Sequence, residues 1–531
     1  MVSSRKTNAE LLADFVYRTD YDDLPEDAIQ MSRRMILDQL GDELACSALD
    51  WNKKVVKYVQ NLGIASDEST ILRYGVRSSA EYAAFVNATF GHGFEVDDFN
   101  PVATAHPGCV AVPAALSVGE REHLSGKDLL AGVALASEVI TRVGESGMQS
   151  MLARGFHDTC VLGVFGASAV AGKMLGLDPE RIAYGMGIAG SHASGTTEFA
   201  LTGGDVKRVH AGIGASGGIR SALLAQIGLT GPLTILEGQH GVLQSFGGQF
   251  VADKLSERLG DRYAFLANGF KPYCCAVGIH SPIDALTRVV KAHSLGPKDI
   301  AEIDVPVAHS VKLHSGVIVE PRDMTGAQLS MHYSLALTVC KKSNNFDTYM
   351  EAWGTDFKDP EVLEVARNVS IAEMPDLDSS GETPVRGDVK TPPLTVKTQD
   401  GTTYTEDLLP SKGSPQNPMT DKELEEKFMG LAARVMPREQ TVKIAATVRN
   451  LETIKDLRDL TELLVSPPGN DRAAGWARAG GAPARRHDRR SLLRPRARRC
   501  LHAKQANVQG GHHGAARSEG RAPHGAQGKH D

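Results

Sequence analysis

CVLGVFGASAVAGKMLGL, residues 160–177, is the longest weakly polar run in the chain. It carries Lys173 near its end and follows His157 and Asp158, so it reads as a buried helix and not as a membrane span. Its many Gly and Ala residues let a second helix approach closely. The flanking sequence has the same character. AELLADFVYR and AIQMSRRMILDQLGDELA place apolar residues three and four apart, the helical period. GKDLLAGVALASEVITRVGES repeats the pattern, and Ser125-Gly126 marks its start. RIAYGMGIAGSHASG and GASGGIRSALLAQIGL follow. Strand-like alternation is nearly absent up to about residue 265. A mainly α domain built on small-residue helix contacts is expected.

The pattern changes near residue 270. HSPIDALTRVVKAH reads as a helix, IAEIDVPVAHSVKL alternates like a strand, and AQLSMHYSLALTVCKK is helical again. VLEVARNVSI is mixed. PPLTVKTQDGTTYTEDL predicts strand–turn–strand, with Asp400-Gly401 at the turn. KELEEKFMGLAARV and NLETIKDLRDLTELL read as helices that rejoin the first domain. The expected organisation is mainly α: a helical domain over 1–269, an inserted smaller α+β domain over 270–402, a return to the helical domain over 403–466, and a disordered basic tail over 467–531.

Bulk properties narrow the function. The chain has 531 residues, 41% hydrophobic and 23% charged, as in ordinary globular proteins. Net charge is -6, but 14 Lys+Arg against 4 Asp+Glu follow Ser466, leaving about -16 for the rest. An acidic body argues against nucleic-acid binding there. The tail reads either as a segment for an acidic partner or as one without selected structure. Seven cysteines without a zinc-type CxxC pair favour a reducing compartment. MVSSRKTNAELLADFV has no long apolar stretch and carries acids early, so neither a secretory signal nor a transit peptide is expected. A cytoplasmic location follows, with a mitochondrial one left open.

Four segments carry chemistry. GHGFEVDDFNPVATAHPG, residues 91–108, packs Glu95, Asp97 and Asp98 between His92 and His106, beside the apolar run CVAVPAALSV. Clustered acids and a histidine entering a buried helix can supply general acid–base groups, or form a solvated loop. They match no calcium loop. In ARGFHDTCVLGVFG, His157 and Asp158 precede the Gly/Ala helix, whose first N–H groups attract anions; Asp158 could equally serve as its cap. In LTGGDVKRVHAGIGASGGIR, Lys207 and Arg208 sit on a Gly-flanked turn that suits a carboxylate, without the spacing of a dinucleotide site or a P-loop. In FKPYCCAVGIHSPIDAL, Lys271 and His280 lie at the start of the second domain, while Cys274 and Cys275 read as buried thiols. Together, cations, histidines and acids beside glycines suit a small polycarboxylate.

These stretches recur in a recognisable order. HGFEVDD…AHPG…VPAALSVGE, GFHDT…GVFGAS…AGKMLGLDPE, AGSHASG, GGDVKRVHAG, GLTGP…LEGQHG and KPYCC…H…IDAL resemble the MmgE/PrpD family over about residues 8–466. That family includes 2-methylcitrate dehydratases, cis-aconitate decarboxylases and an iminodisuccinate epimerase. The resemblance implies a large all-α domain, a smaller α+β lid, an active site between them, a homodimer and no cofactor or metal. It places the family's acidic position on Glu95 or the Asp97-Asp98 pair, with Glu95 a departure from the more common Asp. Its histidines fall on His106 and His157, its lysines on Lys207 and Lys271, its later histidine on His280, and a tyrosine on Tyr333 in SMHYSLA.

The resulting expectation is a cofactor-independent lyase acting on a tricarboxylate. Glu95, Lys207, Arg208 and Lys271 would bind substrate, while Asp97, Asp98, His106, His157, His280 and Tyr333 would act in catalysis. Family breadth favours dehydration of 2-methylcitrate, as in propionate metabolism. Decarboxylation of cis-aconitate to itaconate, epimerisation of a dicarboxylate, and a non-catalytic binding role are the alternatives.

Overall fold

The computed structural model describes residues 6–64, 66–374 and 392–467. The expected disordered tail therefore lies, apart from Pro467, outside the described residues. The fold is mainly α. Among the described residues, nine helices of eleven or more residues occupy the first half, including Glu26–Cys46, Ala80–Gly91, Gly108–Arg121, Gly126–Ala153, Asp158–Met174 and Val206–Gln226. Ser125 starts its helix as expected: its hydroxyl accepts from the Asp128 N–H, and Asp128 reaches back to the Ser125 N–H.

Asp158–Met174 holds the opening stretch and is almost wholly buried. It packs against Val206–Gln226 through small residues. A Cβ on Gly218 would lie 2.5 Å from Ala167 Cβ, so the contact exists only because neither helix carries bulk there. Residues 227–268 depart from the helical expectation and form short turns. Pro232 and the glycines at 228, 231, 238 and 241 interrupt the period there.

From 273 onward the elements mix. Strands Val369–Glu373, Ile300–Val307, Leu394–Thr398 and Thr403–Glu406 form one sheet in that order, with the first pair parallel and the others antiparallel. Gly401 takes φ +89 at the expected turn. AQLSMHYSLALTVCKK breaks into Met324–Gln328 and Met331–Cys340, because Ser330 caps a new helix by accepting from the Tyr333 N–H at 2.9 Å. The apolar residues of this part of the chain form a second cluster, which also takes in Trp51, Phe94 and Phe199 from the first half. The helices Asp421–Ala432 and Arg438–Arg449 contribute Leu424, Phe428, Ile444 and Val448 to the cluster of the first half. Among the described residues, no helix is long and apolar enough to cross a membrane.

One small feature positions the chemistry. Asp98–Phe99 and Gly269–Phe270 form a two-stranded antiparallel pair, with Asp98 opposite Phe270. It brings the 91–108 loop beside Lys271 across some 170 residues of chain.

Candidate active site

The 91–108 stretch is neither a solvated loop nor a helix. Glu95, Asp97 and Asp98 are all buried. The loop leaves the Ala80–Gly91 helix at His92 and turns at Gly93, where a Cβ would meet Phe90 O, Asn52 Nδ2 and Cys46 Cβ within 2.9 Å. Side chains from distant elements hold its carbonyls. Arg208 Nε (2.8 Å) and Trp51 Nε1 (3.2 Å) donate to Gly93 O. Gln328 Nε2 donates to Phe94 O (2.6 Å), and Lys427 Nζ to Val96 O (2.5 Å). Glu95 is thereby held at φ +53, a left-handed conformation costly for a non-glycine residue.

Two lysines meet this loop. Lys271, fully buried, donates to Glu95 Oε2 at 3.1 Å and Asp97 Oδ1 at 2.9 Å. Lys207 pairs with Glu95 Oε1 and approaches His92 Nε2 at 3.0 Å. Burial pushes Glu95 and Asp97 up. For Glu95 the two lysines override it, for Asp97 Lys271 and the neighbouring histidines, and both carboxyls end well below the usual range. Lys271 is correspondingly held charged, the carboxylates outweighing its burial. Each ammonium uses two of its three donors on the protein, leaving one N–H for a further acceptor.

Four histidines surround these pairs. His92 is central: Asp97 Oδ2 lies 2.6 Å from its Nδ1, and its ring centroid lies 5.3 Å from that of His106 and 5.8 Å from that of His157. The ionised Asp97 only accepts and the ammonium only donates, so His92 carries its proton on Nδ1 and stays neutral. Burial, then Lys207, lowers its pKa. His106 Nδ1 donates to Asp98 O at 2.7 Å, which leaves Nε2 as its lone-pair nitrogen. Burial takes His106 down to about 3, although its side chain keeps 16% exposure while Asp97 keeps none. His157 stands at the N-cap position of the Asp158–Met174 helix without a side-chain capping bond, and its Nδ1 lies 3.0 Å from His210 Nδ1. Burial holds His157 well below its ordinary value and His210 at about 4. Asp158, in the first turn, is raised by burial to about 7.

His106, His157 and Lys207 lie within two residues of the starts of Gly108–Arg121, Asp158–Met174 and Val206–Gln226. Three positive helix ends thus converge on one spot. The cluster can bind carboxylates and exchange protons, as the pattern of cations, histidines and acids predicts.

The structure assembles Glu95, Asp97, His106, His157, Lys207 and Lys271. Four other expected residues stand differently. Both oxygens of Asp98 accept from the Gly108 N–H (2.9 and 3.0 Å), and Oδ2 also from Asn268 Nδ2 (2.7 Å), so Asp98 is engaged as a helix cap, and burial, then Asp97, raises its carboxyl well above the usual range. Its neighbour Asp97, in the bend just before the Asp98–Phe99 strand, turns instead to His92 and Lys271. Arg208 donates to Gly93 O, Asp205 and Thr325 Oγ1 and stacks 4.4 Å over Trp51, so its guanidinium is engaged by the scaffold. Tyr333 is fully buried edge-on to Phe357, its hydroxyl without a partner, inside the α+β core and away from the cluster. His280 donates through Nε2 to Cys275 O at 3.1 Å and packs against Tyr273, while its buried Nδ1 has no hydrogen-bond partner among the described residues.

His92 and His210 are absent from the expected set. His210 follows Lys207 by three residues, which is one helical turn, so the period alone placed both on one face. His92 depended on the fold, because it ends one helix and faces the starts of others.

His92, Asp97 and Cys109 are close enough to share a metal ion. The site suits one poorly. The same Asp97 and His92 already contact Lys271 and Lys207, and burial keeps the Cys109 thiol protonated.

Comparison with known proteins agrees with the motifs. The MmgE/PrpD N-terminal domain matches residues 10–254 and the MmgE/PrpD C-terminal domain residues 273–453. The cis-aconitate decarboxylase of Aspergillus terreus is 25% identical over 466 residues, covering 84% of this chain and 93% of its own. The cis-aconitate decarboxylases of Mus musculus and Homo sapiens are each 26% identical, covering 88% and 87% of this chain and 96% and 95% of theirs. The chain belongs to the MmgE/PrpD family.

Proposed function

We propose that this protein is a cofactor-independent lyase that decarboxylates a small unsaturated tricarboxylate, cis-aconitate or a close analogue. The observation that carries the reading is the pair of buried lysines, each with one N–H left, ringed by neutral histidines. Relatives named cis-aconitate decarboxylase, similar over more than four-fifths of the chain, support this outcome over the dehydration of 2-methylcitrate that family breadth favoured.

In this reading Lys207 and Lys271 hold the carboxylates that remain on the substrate and stabilise the charge developing there. The C–C bond to the departing carboxylate breaks, CO₂ leaves, and the electron pair stays on carbon. The histidines are neutral before substrate binds, so the lone-pair Nε2 of one imidazole first takes a proton from solvent as the anionic substrate arrives, and that proton then forms the new C–H bond. His106 is the assigned donor, because Asp98 O fixes its Nδ1–H and leaves Nε2 to exchange. The α+β segment, which supplies Lys271, serves as a lid, and the working form is a homodimer.

The test is incubation of purified protein with cis-aconitate, citrate and 2-methylcitrate, followed by NMR. Itaconate and CO₂ are the expected products. Formation of 2-methylaconitate from 2-methylcitrate would instead establish the dehydratase, for which Asp158 beside His157 offers an acid–base pair. If no acid turns over, the lyase reading fails.

A further inference from the structure

The protein's own charges in the site cancel. Lys207 and Lys271 are matched by Glu95 and Asp97, and Arg208 is committed to Gly93, Asp205 and Thr325. The histidines are held neutral by burial. A polycarboxylate brings two or three negative charges into these surroundings. The remaining lysine N–H groups can meet carboxylate oxygens, but they add no net positive charge. Buried charge without a counter-charge is costly, so the balance has to come from protons.

One pair is built to take one. His157 Nδ1 and His210 Nδ1 are 3.0 Å apart, so one ring donates and the other accepts. A further proton then enters at the donor ring's Nε2. If His157 is the donor, that nitrogen lies 3.3 Å from Asp158 Oδ1, which can accept the new N–H. The neutral N–H···N contact becomes charge-assisted and strengthens. Every neighbouring element contributes to this setting. Asp158 faces the pair from the Asp158–Met174 helix, Lys207 from Val206–Gln226, and His92, His106 and Asp97 from the 91–108 loop. Phe199 closes it edge-on with an uncharged ring, 4.9 Å from His157. Burial, with the Lys207 ammonium beside it, keeps the pair neutral until anionic charge arrives.

We propose that binding of a polycarboxylate in this site is coupled to uptake of about one proton by the His157–His210 pair, which thereby becomes the site's additional cation. The inference rests on the polycarboxylate reading above. The magnitude is adequate. A carboxylate about 6 Å from an imidazole raises its pKa by roughly 2 at an effective dielectric near 20. Two of them carry His210 from about 4 into the neutral range.

The test is isothermal titration calorimetry with tricarballylate, an unreactive tricarboxylate, near neutral pH in phosphate, imidazole and Tris. The slope of observed enthalpy against buffer ionisation enthalpy counts the protons taken up. A slope near one is expected for the wild type, falling below half in His210→Asn and in the H157N/H210N double variant, each checked for an unchanged circular dichroism spectrum. Saturable binding by the wild type with zero slope overturns the proposal, as does an undiminished slope in the folded double variant. Loss of the isotherm altogether, with cis-aconitate and citrate also failing to bind, overturns the polycarboxylate reading itself and the proposal with it.

Discussion

Lys271→Met tests the electrostatic core of the site. The ammonium lies 3.1 Å from Glu95 and 2.9 Å from Asp97, with no exposed surface. At an effective dielectric near 20, each contact is worth about 5 kcal/mol of Coulomb energy, most of it offset by desolvation. Removing one partner of such a group costs about 3–5 kcal/mol, because the others stay buried. The loss should depend on pH with a definite sign. In the wild type both carboxyls are depressed, so their contribution is full above the unfolded carboxylate range and fades only as pH falls through the lower folded values. In the variant, burial raises Asp97, so the folded variant binds a proton that the unfolded chain releases above its own lower pKa. The stability gap should therefore be largest at about pH 8 and shrink towards about pH 5. Urea unfolding followed by circular dichroism at several pH values measures it. Turnover should fall at least a hundredfold. A gap below about 1 kcal/mol at pH 8, or one constant across the range, would refute the reasoning.

Three further substitutions separate site from scaffold. Tyr333→Phe should keep wild-type kcat and KM for cis-aconitate and match or slightly exceed wild-type stability, since it removes a buried hydroxyl without a partner; a large kcat loss would return Tyr333 to the mechanism. Asp98→Ala removes a helix cap and should cost about 1–2 kcal/mol in urea unfolding, with turnover falling less than in Lys207→Met. Lys427→Met leaves Asp38, 2.6 Å away, as a buried unpaired acid and frees the Val96 carbonyl, costing about 3–5 kcal/mol. Adding Asp38→Asn should recover part of that stability; no recovery in thermal melts would mean that the charge is not what matters there.

Much of this was legible in the chain itself. The 3.6-residue period of the first half and the small residues in 160–177 dictated helices that pack closely, because Gly and Ala leave no other way to fill that interface. Alternation in 300–307 and Asp400-Gly401 marked the sheet. The order of the motifs identified the family. Side-chain type alone singled out Lys207, Lys271, His106 and His157, since charged groups beside glycines and buried helices need a reason to be there.

Direction could not be read that way. Asp97 and Asp98 are adjacent acids with equal claims in sequence, yet the bend that leads into the Asp98–Phe99 strand sends one to Lys271 and the other to the Gly108 N–H. Arg208 neighbours Lys207 and turns instead to Gly93 and Thr325. The Asp98–Phe270 pairing, which brings Lys271 to Asp97, joins segments too distant for any local pattern to connect. His92 gains its central place only when helix ends from four parts of the chain meet around it. Residue type and period determined the helices and which groups were available for chemistry. Tertiary contacts decided which of them face one another, because burial and charge pairing depend on neighbours that the chain brings together only on folding.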